Sequence, residues 1–155
     1  MDLIVPIAGD QTGLLKALLQ AREGLLKQLR PALKESGLTD QQWRVMSELV
    51  RVNEISASEL AAAACLRASS LSRIIKDLET RQFLLRRSHR DDLRRTMISI
   101  TRRGRTVVEG VLPVAEGIAD DIAARFGSER LKSVHDLSDA LAVTLGGNVA
   151  DDETE

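Results

Sequence analysis

At 155 residues, 43% apolar but only 2% aromatic and without tyrosine, the chain can build one helical domain with a leucine, alanine and valine core, or two small lobes sharing helices, and its composition is not that of a disordered segment. A single cysteine excludes an internal disulfide framework and fits a reducing compartment; no apolar run approaches the ~20 residues that span a bilayer, and the first residues lack a secretory signal, so a cytoplasmic protein with no membrane partner is expected. The net charge of −1 conceals a polarised chain: residues 67–105 carry twelve Lys and Arg against four Asp and Glu, a net of +8, and the rest carries ten against nineteen, a net of −9.

Taken in order, residues 11–36 repeat leucines at three- and four-residue intervals (Leu14, Leu15, Leu18, Leu19, Leu25, Leu26, Leu29, Leu33), the period of a long helix with one apolar stripe. Pro31 predicts a bend near Lys27 and Gln28, and Gly37 a stop. Thr39 with Gln42 three residues on reads as a capping box opening a second helix over residues 40–52, with Trp43, Val45, Met46, Leu49 and Val50 buried. Trp43 is either plain core or the wall of a pocket, since Arg44 adjoins it and Arg22 lies on the preceding helix.

Residues 55–101 organise the chain. A short strand precedes a helix over 59–64 capped by Ser56 or Ser58, a turn at Cys65 and Leu66 follows, and a second helix runs from about 67–69 to 81. Its stripe of Leu71, Ile74, Ile75 and Leu78 turns inward, leaving Arg67, Ser69, Ser70, Ser72, Arg73 and Lys76 outward. Such a face is a solvated surface or a reader of base edges and phosphates in the ~12 Å major groove. Residues 83–87 and 96–100 read as two strands around a polar tip, a wing whose Arg90, Arg94 and Arg95 suit the negative potential of a narrow minor groove. Asp91 and Asp92 suit pairing with neighbouring arginines to hold that loop, Asp92 with Arg94, or simple solvation. Positive charge gathered on a helix-turn-helix and hairpin, in a chain otherwise acidic, is the footprint of a nucleic-acid partner.

Thr101 caps a third long helix over 102–126, which Pro113 should bend and Gly127 end; a last helix from Ser128 carries a seam of Leu131, Val134, Leu137, Ala140, Leu141 and Leu145, and Gly146 and Gly147 stop it. Neither terminal helix can bury its stripe on a small winged unit alone, which implies packing on each other and on a second copy. The fold class expected is mostly α with a small β-hairpin wing: a helical dimerisation domain from residues 11–36 and 102–147, a winged helix-turn-helix domain over 39–101, and flexible termini at 1–10 and 148–155.

With these residues in view, the wing segment Asp92-Leu93-Arg94, five residues, then Ile100-Thr101 and Gly104, resembles the D-x-R-x(5)-L-T-x-x-G signature of the MarR family of bacterial winged-helix regulators, with Ile100 in place of leucine. The segment LLQAREGLLKQLRPALKESGLTDQQWRVM and the turn Ala64-Cys65-Leu66-Arg67-Ala68-Ser69-Ser70-Leu71 are similar to the subgroup that represses homoprotocatechuate (4-hydroxyphenylacetate) degradation operons, although Ala68 stands where that subgroup often has proline. The resemblance implies a homodimer with interlocked first and last helices, bound to a pseudo-palindromic double-stranded DNA operator and released by a small aromatic carboxylate. A guanidinium is the natural two-donor partner of such an acid, which makes Arg22 and Arg44, with Trp43 as an apolar wall, the candidate effector site.

Three other readings stay open. An enzyme would have to draw on His89, His135 and Cys65 without a phosphate loop, a nucleophile–base pair or metal-ligand spacing, so no catalytic residue, metal or cofactor is expected. Cys65 is either a buried, inert small hydrophobe or a redox-sensing thiol activated by Arg67 and a helix amino end. The winged fold also serves dimeric architectural proteins that bind duplex without reading its sequence.

Overall fold

The computed structural model describes residues 11–92 and 94–146; the expected flexible termini, the Gly147 stop and Leu93 of the wing signature lie outside the described residues. Six helices and three strands follow in the order α1 (Gln11–Glu35), α2 (Asp40–Val52), β1 (Glu54–Ser56), α3 (Ala57–Ala63), α4 (Ala68–Thr80), β2 (Leu84–Ser88), β3 (Thr96–Ile100), α5 (Arg102–Phe126) and α6 (Ser128–Thr144). The mostly helical class with a small antiparallel wing is thus the one expected. Pro31 and Pro113 sit inside α1 and α5, which continue past them.

Local chemistry sets most boundaries. Thr39 accepts from the Gln42 backbone N–H while the Gln42 side chain accepts from the Thr39 N–H, a complete capping box. Ser56 and Glu59 form a second such box, so α3 opens at Ala57, two residues before the predicted start. Thr101 Oγ1 accepts from the Gly104 N–H at 3.0 Å and starts α5. At their other ends α1, α3 and α4 share one stop, the paired 6→1 and 5→2 hydrogen bonds of a Schellman motif. Leu38 N–H donates to Leu33 O, Leu66 N–H to Ala61 O, and Phe83 N–H to Leu78 O, at 2.8, 2.9 and 2.8 Å. The left-handed residue in each is Gly37 (φ 66°), Cys65 (φ 52°) and Gln82 (φ 61°), and the apolar residue that follows, Leu38, Leu66 or Phe83, is buried.

This stop corrects two expectations. Phe83 caps α4 instead of opening the first wing strand, which runs Leu84–Ser88. Cys65 is exposed, not buried, because the left-handed position turns its side chain outward while Leu66 takes the core.

The sheet order is β1-β3-β2, antiparallel throughout, with Ile55 opposite Ile98 and Leu84 opposite Ile100. One core joins this sheet to α2, α3 and α4, through Val45, Met46, Leu49, Leu60, Leu71 and Ile98 among others, and the first half of α5 joins it with Val108 and Val111. The remaining helical surface is unlike this. Leu14, Leu15, Leu18, Leu19 and Leu25 of α1 are exposed, α6 has no buried residue, and Leu137 and Val143 stand 70% and 81% exposed. Among the described residues no helix is long and apolar enough to cross a membrane.

Candidate nucleic-acid interface and effector junction

The buried stripe of α4, Leu71, Ile74, Ile75 and Leu78, faces α2 and the sheet, and this fixes what the other face offers. Ser69, Ser72, Arg73 and Lys76 are exposed, Ser70 is half-buried, and Arg67, exposed at the N-cap position, makes no capping bond with its side chain. The acidic residue of this surface, Asp77, is already engaged: Gln42 Nε2 donates to it at 2.8 Å and Arg81 lies 3.7 Å away. Gln42 therefore caps α2 with one side-chain atom and anchors α4 with the other.

The wing loop is closed by the His89 N–H donating to Arg95 O at 2.8 Å. Asp92 Oδ1 accepts from the Arg94 backbone N–H at 3.0 Å, so its bond is to main chain and not the expected pairing with the guanidinium; a two-residue reach suits an Asx turn better than an ion pair. Asp91 donates its N–H to His89 Nδ1 at 3.2 Å. Arg90 and Arg94 are exposed, and Arg95 lies 3.6 Å from Glu59 of α3.

At the root of the wing Arg87 Nε and Nη2 grip both carboxylate oxygens of Glu54 at 2.7 and 2.6 Å, across the intervening β3. That two-donor bond, more than the charge beside it, holds the Glu54 carboxyl below its ordinary range and lifts the Arg87 guanidinium above its own. Glu59 is also lowered, first by the Ser56 hydroxyl and then by the Ser56 backbone N–H. The charged forms of both acids are thus favoured, each beside an arginine, Arg87 for Glu54 and Arg95 for Glu59.

Of the candidates for an effector, Arg22 of α1 and Arg44 of α2 converge on Asp40 at the junction of those helices, and Trp43 adjoins Arg44 in the chain. Arg22 Nη2 donates to Asp40 Oδ2 at 2.8 Å and its Nη1 to Glu23 at 3.1 Å. Arg44 approaches the same Asp40 oxygen with Nε at 3.7 Å, but its Nη1 points elsewhere, donating to Ala64 O at 2.7 Å and Cys65 O at 3.2 Å. Trp43 is half-buried against the core. The apolar cavity of about 240 Å³ lies apart from this group, between α1, α5 and α6, lined by Leu25, Leu29, Ile118, Ile122 and Leu131 with neighbouring residues. Among the described residues there is no group of three or more His, Cys, Asp or Glu able to hold a metal ion. His89 lies in the wing and His135 on α6, where Asp136 and Asp139 flank it.

Sequence reasoning missed Asp40, Gln42, Glu54 and Arg87 as organisers of this surface. The Glu54–Arg87 pair spans 33 residues and becomes visible only with the strand register. Gln42 carried the signal of a cap and concealed its second partner.

A family model described as the MarR family matches residues 38–96, the helix-turn-helix and most of the wing. The HTH-type transcriptional regulator FarR of Neisseria gonorrhoeae is 33% identical over 81% of this chain and 86% of its own length. The homoprotocatechuate degradative operon repressor of Escherichia coli is 31% identical over 88% of this chain and 91% of its own. The crystal structure of NadR in complex with 4-hydroxyphenylacetate superposes with a TM-score of 0.78 at 31% identity, covering 92% of this chain and 98% of that one. Winged lobe, wing signature and near full-length similarity to these regulators agree: the chain belongs to the MarR family of transcriptional regulators.

Proposed function

We propose that this regulator acts as a homodimer that binds a pseudo-palindromic operator, represses an operon for aromatic-compound catabolism, and is released by a small aromatic carboxylic acid. The observation that carries the reading is the division of the surface. Residues 67–105 hold a net +8 on α4, the wing and the start of α5, whereas the terminal helices carry exposed leucines and valines among the described residues. A cationic reading face suits a polyanion; an apolar face of this extent suits a second copy. In this reading residues 11–36 and 102–147 form the dimerisation domain and residues 39–101 the DNA-binding domain.

Within the lobe, Arg67, Ser69, Ser70, Ser72, Arg73 and Lys76 enter or flank the major groove, and Arg90, Arg94 and Arg95 the adjacent minor groove, with Asp92 holding the loop. The effector carboxylate takes Arg22 from Asp40 at the junction of the two domains, with Trp43 as its apolar wall. Similarity to a protein crystallised with 4-hydroxyphenylacetate supports that class of acid.

The test is selection. Purified protein is mixed with a random-sequence duplex pool, the retained fragments are sequenced, and binding to the enriched duplex is measured with and without 4-hydroxyphenylacetate. Enrichment of one inverted repeat bound about 10³-fold more tightly than random duplex supports the reading; equal retention of all sequences makes the chain an architectural protein. The exposed position of Cys65, at the turn before α4, favours a second reading in which oxidation of that thiol releases DNA. Peroxide that weakens binding by the natural chain but not by Cys65→Ser would establish it.

A further inference from the structure

The geometry points to Arg44 as a positioning residue for DNA reading, acting on α4 through the helix-turn-helix turn without touching DNA. This rests on the DNA-binding reading above and assigns a task to a side chain so far named only as an effector candidate.

Three observations meet at Arg44. First, the Schellman stop of α3 bonds Ala61 O and Ala62 O, whereas the carbonyls of Ala64 and Cys65 accept no main-chain hydrogen bond among the described residues. Arg44 Nη1 donates to both, at 2.7 and 3.2 Å. A charged donor bridging two carbonyls makes a stronger bond than a neutral one. It does so where the backbone most needs holding, since Cys65 occupies the left-handed region (φ 52°) that glycine enters more readily.

Second, only Leu66 and Arg67 separate that turn from Ala68, the first residue of α4. A shift of the two carbonyls is therefore passed directly to Arg67, Ser69 and Ser70, the amino end of the reading helix.

Third, Arg44 is steered from the other side. Among the described residues its buried Nε has no acceptor within hydrogen-bond distance, and a carboxylate oxygen at 3.7 Å, Asp40 Oδ2, is held at 2.8 Å by Arg22 of α1. One oxygen is contested by two arginines, one on the long terminal helix and one gripping the turn. Whatever draws Arg22 away leaves Asp40 able to close on Arg44 Nε and so to move the guanidinium that fixes the turn. The path from α1 to α4 is thus Arg22, Asp40, Arg44, Ala64 and Cys65.

The experiment uses the purified full chain as Arg44→Gln, Arg44→Lys and Asp40→Asn, with thermal melts to confirm folding. In the DNA-free protein, amide hydrogen exchange at residues 66–71 is expected to quicken about tenfold in Arg44→Gln and less in Arg44→Lys, which can still donate to one carbonyl, with protection in β2 and β3 unchanged. On the duplex enriched from a random pool, Arg44→Gln should lose about tenfold in affinity or more while random-duplex binding stays within about twofold and the salt slope is unaltered, because no phosphate contact is removed. Asp40→Asn, which leaves Arg44 in place, should shift exchange at residues 66–71 without changing the melting temperature by more than a few degrees.

Unchanged exchange at the turn in Arg44→Gln overturns the proposal. So does a uniform loss on every duplex with a shallower salt slope, which would make Arg44 a phosphate contact. A pool from which nothing is enriched instead removes the sequence-reading function, and the exchange measurement then decides the role of Arg44 by itself.

Discussion

Gly104 is where the wing and the long helix α5 are locked together, and its replacement by alanine gives a worked prediction. An ideal Cβ at this position would lie 2.3 Å from Phe83 O and 3.0 Å from Ile100 Cγ1. The Phe83 oxygen cannot easily retreat, because it accepts from the Thr101 N–H at 2.9 Å and from Thr101 Oγ1 at 3.1 Å. Making room breaks or lengthens both bonds, at about 0.5–1.5 kcal/mol each, and strains a packed backbone by about 1–3 kcal/mol. Alanine in a helix returns about 1 kcal/mol relative to glycine. The net loss is about 3 kcal/mol, or about 6–12 °C in melting temperature for a chain of this size. Urea and thermal unfolding at one fixed protein concentration measure it, since the proposed dimerisation would make stability concentration-dependent. Gly110→Ala, in the same helix with nothing within 4 Å of its ideal Cβ, serves as the control and should be neutral or stabilising. A Gly104→Ala protein as stable as its parent would refute the reasoning that close backbone approach sets this residue.

Further substitutions separate the kinds of contact. Lys76→Ala or Arg94→Ala should weaken all duplexes and reduce the salt slope by about one counterion per subunit, whereas Arg73→Ala should change sequence preference at about 1–3 kcal/mol per readout lost; titrations at several salt concentrations on the selected and scrambled duplexes tell them apart. Arg22→Ala should abolish any further loss of selected-duplex binding on adding 4-hydroxyphenylacetate while random-duplex binding stays within about twofold of the parent, and an undiminished release would remove Arg22 from the effector site. Because the Glu54 carboxyl is held below its ordinary value of 4.5 by Arg87, its contribution is present above that pH and is lost as the pH falls through the depressed value. Protection of β1 and β2 should therefore be lower in Glu54→Gln than in the parent at neutral pH, and the difference should vanish as the pH falls through the depressed value, because the amide does not titrate; equal protection at neutral pH would show the clasp to be idle.

Much of this fold was legible because its boundaries are written locally. The Thr39–Gln42 box, the Thr101 cap and the glycines at 37 and 127 each act within a few residues of themselves, and the inward stripe of α4 follows from helical periodicity alone. Reading failed where a local signal was replaced by tertiary context. No glycine marks the ends of α3 and α4, where Cys65 and Gln82 take the left-handed position because Leu66 and Phe83 are pulled into the core behind them. Sequence alone accordingly opens the first wing strand one residue early, at Phe83, and leaves a buried Cys65 among its alternatives.

The candidate site divides in the same way. The basic face was visible as charge, but the partners that orient it are main-chain atoms or distant acids. Arg44 binds two carbonyls 20 and 21 residues away, and a carbonyl has no letter in a sequence.

The central claim is that two copies of this chain present paired α4 helices to successive major grooves on one side of the duplex. Inserting base pairs between the halves of the selected site tests it most directly, with protomers per duplex counted by analytical ultracentrifugation. Two protomers should bind half-sites centred about 10–10.5 base pairs apart, five inserted pairs should reduce affinity to the level of random duplex, and ten should recover part of it. Binding that is indifferent to the insertion, or one protomer saturating the duplex, would contradict the account.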